Sequence, residues 1–200
     1  MKVVIAENES LIREALTALL DLEDDIEVVA AAPSGDQVLD LVERHAADLA
    51  LLDMDMPGLN GIQVAELLCK ARPGFPVIIL TSHGRPGYLQ RAIKSGVRGF
   101  LTKEVSIDRL VQVIREVQAG GRYVDPGIAA DAIAAGDNPL SPRELEILKL
   151  AEDGRPLSEI AGKLHLSEGT VRNHMSSAIA KLGASNKTTA VRIAVQAGWL

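Results

Sequence analysis

The sequence has very little cysteine, few aromatic residues and no long apolar run. Cys69 is the single cysteine among 200 residues, so no disulfide can form within the chain, and this usage is typical of the reducing cytoplasm. Aromatic residues make up only 2%, so any core must be built from Leu, Ile, Val and Ala. No segment approaches the roughly 18 consecutive apolar residues of a membrane span, and the run after Met1 breaks too early for a signal peptide. We therefore expect a cytoplasmic protein without membrane insertion.

Acidic and basic residues are unevenly distributed along the chain, whose net charge is −6. Residues 1–124 contain 13 Lys and Arg against 18 Asp and Glu, which gives −5. Residues 155–200 contain 6 against 2, which gives +4. Such a division predicts an acidic module joined to a module that binds a polyanion.

Short apolar runs alternate with amphipathic stretches through residues 1–120. The runs KVVIA, IEVVA, DLALL, PVIIL and RGFL predict five strands, and five helical patterns follow them in turn. This alternation predicts a doubly wound α/β domain, in which five helices cover a five-stranded parallel sheet. Residues 121–138 are small, polar and interrupted by Gly and Pro, which predicts a linker with one short helix. Residues 139–200 show only helical patterns and predict a small all-α domain of four helices.

Polar residues stand where the predicted strands end. Glu7 and Asn8 follow the first strand, Asp53 the third, Thr81 the fourth and Lys103 the fifth. Because ligands of open parallel sheets bind at the carboxyl ends of the strands, we expect these side chains to form one site. Carboxylates at this edge can hold Mg²⁺, while a hydroxyl and an ammonium can hold phosphoryl oxygens. Taken singly, each residue also fits an ordinary helix-start acid, strand-end cap or solvated lysine.

The motifs IAENE, LLDMDMPGLNG, ILTS and GFLTKE resemble those of a bacterial two-component receiver domain. The resemblance implies that a partner sensor histidine kinase phosphorylates Asp53 with the help of Mg²⁺. It also implies that the backbone carbonyl of Asp55 helps to hold the metal ion. Thr81 would be the switch hydroxyl, Lys103 the phosphate-binding lysine and Phe100 the aromatic residue that reorients and becomes buried on activation.

The first strand departs from this family pattern. Receivers usually carry two adjacent acids there, and the second acid ligates the metal directly, whereas Asn8 occupies that position in this chain. An amide oxygen can coordinate Mg²⁺ but brings no charge. The expected ligands are therefore Glu7, Asn8, Asp53 and Asp55, with Glu9 nearby, and the alternative is a regulator of the same architecture that acts without phosphorylation.

The segment DMDMP also suggests a different class of protein. Phosphatases of the haloacid dehalogenase kind use an aspartate nucleophile and a second aspartate two positions later as the general acid. Their motif follows the first strand, whereas Asp53 and Asp55 follow the third, and no segment of this chain supplies the usual cap element. We therefore expect a protein that is not an enzyme.

The segment LSEIAGKLHLSEGTVRNHMSSAIAKLG predicts a helix-turn-helix, with Ser167 as the cap of its second helix. The outward side chains of that helix can bind DNA, because Arg pairs with guanine edges, Asn with adenine edges, and Lys with phosphates. An ordinary helical hairpin with a solvated basic face is the alternative. The predicted DNA contacts are Ser167, Thr170, Arg172, Asn173, Ser176, Ser177, Lys181 and Lys187.

The whole carboxyl-terminal segment is similar to the LuxR-type DNA-binding domain, especially in SPRELEIL, EIAGKL, TVRNH and KLGASNKTTAV. Together with the receiver it resembles the NarL/FixJ class of response regulators. The resemblance implies a receiver at 1–120, a linker at 121–138 and a helix-turn-helix domain at 139–200. It also implies a homodimer that binds promoter DNA. The segments RPGYLQRAIKSGVRGFLTK and GTVRNH further resemble regulators of fatty-acid desaturase or membrane-fluidity genes.

Overall fold

The structure is a computed structural model that describes residues 1–200, and it divides into two compact units. The first unit contains Met1–Gly84 and Tyr88–Asp131, and the second contains Arg85–Gly87 and Ala132–Leu200. No helix is both long enough and apolar enough to cross a membrane.

A parallel sheet forms the centre of the first unit. The strands are β1 (Lys2–Ala6), β2 (Glu27–Ala32), β3 (Leu49–Asp53), β4 (Val77–Thr81), β5 (Gly99–Thr102) and β6 (Tyr123–Val124). They lie in the order β2-β1-β3-β4-β5-β6, and every neighbouring pair is parallel. The third and fourth strands are buried along their whole length, which explains their continuous apolar sequences.

Five helices alternate with the first five strands, as the periodicity predicts. Ser106 begins the last of them, since its hydroxyl accepts a hydrogen bond from the backbone of Arg109. The helices are α1 (Ser10–Leu20), α2 (Val38–Arg44), α3 (Gly61–Ala71), α4 (Pro86–Lys94) and α5 (Ile107–Gln118). The predicted doubly wound α/β class is confirmed.

The sheet has one strand more than the sequence predicts. The backbone nitrogen of Tyr123 donates to Arg98 O at 2.8 Å, and that of Asp125 donates to Phe100 O at 2.9 Å, so the start of the predicted linker pairs with β5. Two residues are too few to show an alternating pattern, and the pairing depends on the open edge of β5. The linker continues as the helix α6 (Pro126–Ala135), where the Asp125 carboxylate accepts the Gly127 amide at 2.9 Å.

The second unit contains the four predicted helices of the carboxyl-terminal domain. Their core is built from Ile147, Leu148, Ile160, Val171 and Met175 together with several alanines. The helices are α7 (Pro142–Glu152), α8 (Leu157–Leu164), α9 (Glu168–Lys181) and α10 (Lys187–Gln196).

Candidate functional sites

Three buried polar residues lie at the carboxyl edge of the parallel sheet. Glu7, Asp53 and Thr81 are 1%, 3% and 0% exposed, and they follow or end β1, β3 and β4. Chain positions far apart meet here because the strands are parallel and end at the same edge. The order β2-β1-β3 reverses direction beside β1, which places these residues at the switch point of the sheet.

The ammonium group of Lys103 joins the two buried carboxylates. Its Nζ atom lies 3.0 Å from Asp53 Oδ1 and 2.8 Å from Glu7 Oε2, and it donates a hydrogen bond to Glu7 Oε1 at 3.0 Å. Glu9 Oε1 is farther away, at 3.6 Å, and its side chain is largely exposed. The sequence-predicted residues Glu7, Asp53 and Lys103 therefore form one cluster.

Burial and ion pairing act in opposite directions on this cluster. Burial raises the pKa of Glu7 above its usual value, and the hydrogen bond from Lys103 offsets only part of that rise. Burial alone would lower the pKa of Lys103, but its hydrogen bonds to Glu7 and Asp53 outweigh burial, and its pKa is raised. The lysine therefore remains charged and supplies the positive charge that the two carboxylates need.

The expected metal ligands also include Asn8 and the backbone carbonyl of Asp55. In this structure the Asn8 Nδ2 atom donates a hydrogen bond to Asp55 O at 3.0 Å. Asn8 therefore presents its N–H group, and not its amide oxygen, to the carbonyl. The structure brings these two predicted ligands together, but they form a hydrogen bond with each other.

The donor chemistry of this edge fits Mg²⁺. No three His, Cys, Asp or Glu side chains form a metal-binding group, so a cation would depend on two carboxylates with an amide and a carbonyl oxygen. Mg²⁺ in proteins is usually held by one or two carboxylates and several waters. Glu7 Oε2 is buried and lacks an aligned hydrogen bond, although Lys103 lies close to it. This oxygen is a ligand atom that the protein leaves incompletely satisfied.

Thr81 and Phe100 differ in their surroundings from the phosphoryl-holding state that the resemblance implies. The Thr81 hydroxyl donates to His83 O at 2.9 Å and accepts from His83 N at 3.1 Å, so it is engaged in its own loop. Phe100 is only 1% exposed and pairs with Val124 of β6. The aromatic residue expected to become buried on activation is thus already buried here, because the linker strand covers its edge of the sheet.

Helix α9 presents a polar face at the predicted DNA-binding surface. Ser167 caps the helix, as predicted, since its hydroxyl accepts the Thr170 amide at 3.1 Å. Arg172, Asn173 and Ser176 are exposed and make no side-chain hydrogen bond within the protein. These three residues are free to contact another molecule.

The other predicted DNA contacts of this unit are engaged within the protein. Lys187 Nζ donates to the backbone oxygen of Arg155 at 3.0 Å. Ser177 Oγ and Lys181 Nζ donate to Glu144 Oε1 and Oε2, each at 2.7 Å. Sequence reasoning did not identify Glu144 as a site residue. The sequence does contain a signal for it, because SPRE at Ser141–Glu144 is a capping-box motif. In such a motif the carboxylate of the fourth residue accepts a hydrogen bond from the backbone of the first.

Comparisons with known families match both parts of the chain. Residues 3–115 match the response regulator receiver domain, and residues 138–194 match the bacterial regulatory proteins of the luxR family. The fold and the sites define a DNA-binding response regulator. The chain belongs to the NarL/LuxR family of transcriptional response regulators.

Several relatives are similar to the chain along its whole length. The uncharacterized transcriptional regulatory protein YvfU of Bacillus subtilis strain 168 is 40% identical over 200 residues, covering 100% of both chains. The transcriptional regulatory protein DesR of the same strain is 40% identical over 199 residues, covering 100% of this chain and 98% of its own. The resemblance to desaturase regulators stays a prediction.

A solved structure also shares the fold over nearly the whole chain. It is RcsB from Salmonella enterica serovar Typhimurium, bound to promoter P1flhDC in the presence of phosphomimetic BeF3−. It is 25% identical, with a TM-score of 0.70, and the match covers 99% of this chain and 98% of that one.

Proposed function

We propose that this response regulator is phosphorylated on Asp53 by a partner sensor histidine kinase with Mg²⁺, and that phosphorylation favours dimerisation and promoter binding. The observation that carries the proposal is the contact of Lys103 with both Asp53 and Glu7 at the switch point of the sheet. A carboxylate beside a fixed ammonium can accept a phosphoryl group whose charge the ammonium then balances. We place this activity in the cytoplasm.

The transfer itself requires little covalent chemistry from the receiver. The bond between phosphorus and the imidazole nitrogen of the kinase breaks as a bond forms from Asp53 oxygen to phosphorus, and the imidazole leaves with the electron pair. The product is an acyl phosphate on Asp53. Glu7, Asp53, Asn8 and the Asp55 carbonyl would hold Mg²⁺, which would supply positive charge to offset that of the phosphoryl group. Lys103 exchanges its contact with the Asp53 carboxylate for a contact with the phosphoryl group.

Thr81 carries the signal away from the phosphorylated aspartate. To bind a phosphoryl oxygen, its hydroxyl must leave His83 O, which changes the loop after β4. The linker helix α6 contacts this same loop, since a Cβ atom placed on Gly84 would lie 2.5 Å from Ile128 Cγ1. A movement of this loop would therefore displace Ile128 and with it the linker helix α6.

The linker strand provides a second connection to the switch. The backbone nitrogen of Asp125 donates to Phe100 O, and a cavity of about 90 Å³ beside Phe100 is lined by Leu89, Tyr123 and Val124. This space allows the Phe100 ring to change its position only if β6 adjusts as well. We infer that phosphorylation weakens the pairing between β5 and β6 and so alters the linker that leads to the DNA-binding unit.

The output is recognition of promoter DNA by a homodimer. Arg172 and Asn173 have the side chains that read guanine and adenine edges, and both are exposed on α9. Two copies would place their α9 helices in successive major grooves, about one helical turn apart. The RcsB structure, a complex with promoter DNA in the presence of a phosphomimetic, supports the same link between receiver and DNA in a relative.

The proposal is tested by measuring DNA affinity and molecular mass with and without phosphorylation. The DNA is a duplex that the wild-type protein selects from a random-sequence pool, and the phosphoryl donor is a small acyl phosphate with Mg²⁺. We expect phosphorylated protein to form a dimer at lower concentration and to bind the duplex more tightly. Equal mass and equal affinity in both states would contradict phosphorylation control while leaving DNA binding intact.

A second candidate function is regulation without phosphate, and one observation favours it. Asn8, which stands where receivers usually carry an acid, brings no charge to the site and donates a hydrogen bond to the Asp55 carbonyl. In that case the unmodified protein would dimerise and bind the selected duplex fully. The same measurement distinguishes the two candidates.

A further inference from the structure

We propose that Glu144 is a positioning residue for the DNA-reading helix α9, and that Ser177 and Lys181 act through Glu144 instead of contacting DNA. Glu144 lies on α7, outside the helix-turn-helix, and its contacts on α9 are Ser177 and Lys181.

The contacts of Glu144 connect the start of α7 to the second half of α9. The residue is 3% exposed. Its Oε2 atom accepts the backbone nitrogen of Ser141 and the ammonium of Lys181, each at 2.7 Å, and its Oε1 atom accepts the hydroxyl of Ser177 at 2.7 Å. Both carboxylate oxygens are therefore used, and three donors, one from the cap of α7 and two from α9, converge on one side chain.

Breaking the hydrogen bonds of a buried carboxylate costs free energy. Removing one partner leaves a charge without compensation in a poorly solvated place, which is strongly unfavourable. The Lys181 ammonium has three donors and is partly exposed, but its charge is already paired with a buried carboxylate, with which a DNA phosphate would have to share it. Lys181 is therefore a weaker phosphate contact than a lysine that has no ion pair.

The pairing also fixes the rotation of α9 about its own axis. Ser177 and Lys181 are four residues apart and share one face of the helix, so two points along that face are tied to Glu144. Asn173 is four residues before Ser177 and stands in the same row of side chains, with Arg172 beside it. A small rotation of α9 would redirect both reading residues, and hydrogen bonds to base edges tolerate only about 10–20° of misalignment.

The test measures affinity for a selected duplex and for a random duplex over a range of salt concentrations, using the full-length chain. The selected duplex is one enriched by the wild-type protein from a random-sequence pool. The central variant is Lys181→Met, and the matched control is Lys149→Met, which removes an exposed lysine of α7 that forms no ion pair. Fluorescence of Trp199, the single tryptophan, verifies that the DNA-binding unit is folded in each sample.

For Lys181→Met we expect the ratio of selected to random affinity to fall at least about fivefold, the equivalent of one misdirected base contact. The slope of log affinity against log salt should equal that of the wild type. If Lys181 were a phosphate contact, affinity would fall equally for both duplexes and the slope would decrease by about 0.9. That result, or an unchanged affinity ratio, would overturn the proposal.

A second measurement covers the case in which Lys181→Met unfolds. The double variant Glu144→Gln, Lys181→Met replaces the ion pair by a neutral pair of similar size, which buried sites tolerate better than a lone charge. We expect it to recover folding and part of the affinity ratio relative to either single variant. Independent, additive losses of affinity would show that Lys181 contacts DNA without Glu144, and the proposal would be wrong.

Discussion

The side-chain nitrogen of Asn8 lies 3.0 Å from the backbone oxygen of Asp55, to which it donates a hydrogen bond. Both groups are expected ligands of one Mg²⁺ ion. For Asn8 to ligate a cation at this edge, its amide must turn so that its oxygen, and not its N–H group, faces the cation. The hydrogen bond and the missing negative charge therefore both act against metal binding.

We expect Asn8→Asp to lower the Mg²⁺ concentration needed for phosphorylation about ten- to a hundredfold. A unit charge about 4 Å from the cation contributes roughly 4 kcal/mol of gross attraction at an effective dielectric constant of about 20. Desolvation and repulsion from Glu7 and Asp53 offset much of this, which leaves about 1.4–2.8 kcal/mol. The measurement is a Mg²⁺ titration of acyl-phosphate labelling, together with direct Mg²⁺ binding by calorimetry.

Gln118→Glu is the control for that titration, because it adds the same charge at the exposed far end of α5. It should behave as the wild type. If Asn8→Asp and wild type reach half-saturation at the same Mg²⁺ concentration, Asn8 is not at the metal site. If only Asn8→Asp is labelled, the wild-type protein acts without phosphate.

Glu144 should make the stability of the DNA-binding unit sensitive to acid. Burial raises its pKa, but the hydrogen bonds from Lys181, Ser141 and Ser177 outweigh burial and lower the pKa from 4.5 to about 2. Because the folded pKa is depressed, the stabilisation is complete above about pH 4.5 and is lost as the pH falls toward 2. It amounts to at most about 3 kcal/mol in the free energy of unfolding.

Unfolding followed by Trp199 fluorescence at several pH values measures this effect in the intact chain. Glu144→Gln should be less stable near neutral pH and should lose less stability between pH 4.5 and 2. Glu152→Gln, which changes an exposed acid on the same helix, should follow the wild-type curve. Parallel curves for wild type and Glu144→Gln would contradict the shifted pKa.

Much of the candidate phosphorylation site could be predicted from the sequence, because parallel strands end at one edge. The sequence places Asp53 and Lys103 at strand ends that are 50 residues apart in the chain, and Asp53 Oδ1 and Lys103 Nζ lie 3.0 Å apart. The hydrogen bond from Asn8 could not be predicted, since it depends on the path of the loop after β3. The burial of Phe100 could not be predicted either, because it depends on β6, and the two residues of β6 are too few to show a periodic pattern.

The DNA-binding face was predictable only in part for a similar reason. The helical period correctly separates buried Val171 and Met175 from the polar positions of α9. It does not distinguish a polar side chain that faces solvent from one that a distant acid binds. Ser177 and Lys181 belong to the second kind, because Glu144 lies more than 30 residues earlier in the chain.

We expect Arg172→Ala to weaken binding to the selected duplex by about 1–3 kcal/mol and to relax the preference at one base pair. The reason is that its exposed guanidinium can form two hydrogen bonds with a guanine edge. Binding is measured on the selected duplex and on variants of each base pair. Arg192→Ala, an exposed arginine of α10, is the control. Equal losses on selected and random DNA would make Arg172 a phosphate contact.

Phosphorylation should expose the backbone amides that join β6 to β5. Hydrogen exchange at Tyr123 and Asp125 is expected to accelerate when the protein is phosphorylated, because movement at Thr81 and Phe100 weakens this edge pairing. Amides in the centre of β1 serve as the internal reference, and Asp53→Asn treated with the same donor is the control. Unchanged exchange at both residues in fully phosphorylated protein would contradict a role for the linker strand.

The most direct test of the whole account is the chemical identity of the phosphorylated residue. Wild type and Asp53→Asn are incubated with a small acyl-phosphate donor and Mg²⁺, and the mass and position of the modification are determined by mass spectrometry. The account predicts one base-labile phosphoryl group on Asp53 in the wild type and none in Asp53→Asn, since an amide cannot serve as the nucleophile. Stoichiometric labelling of Asp53→Asn at another residue would contradict it.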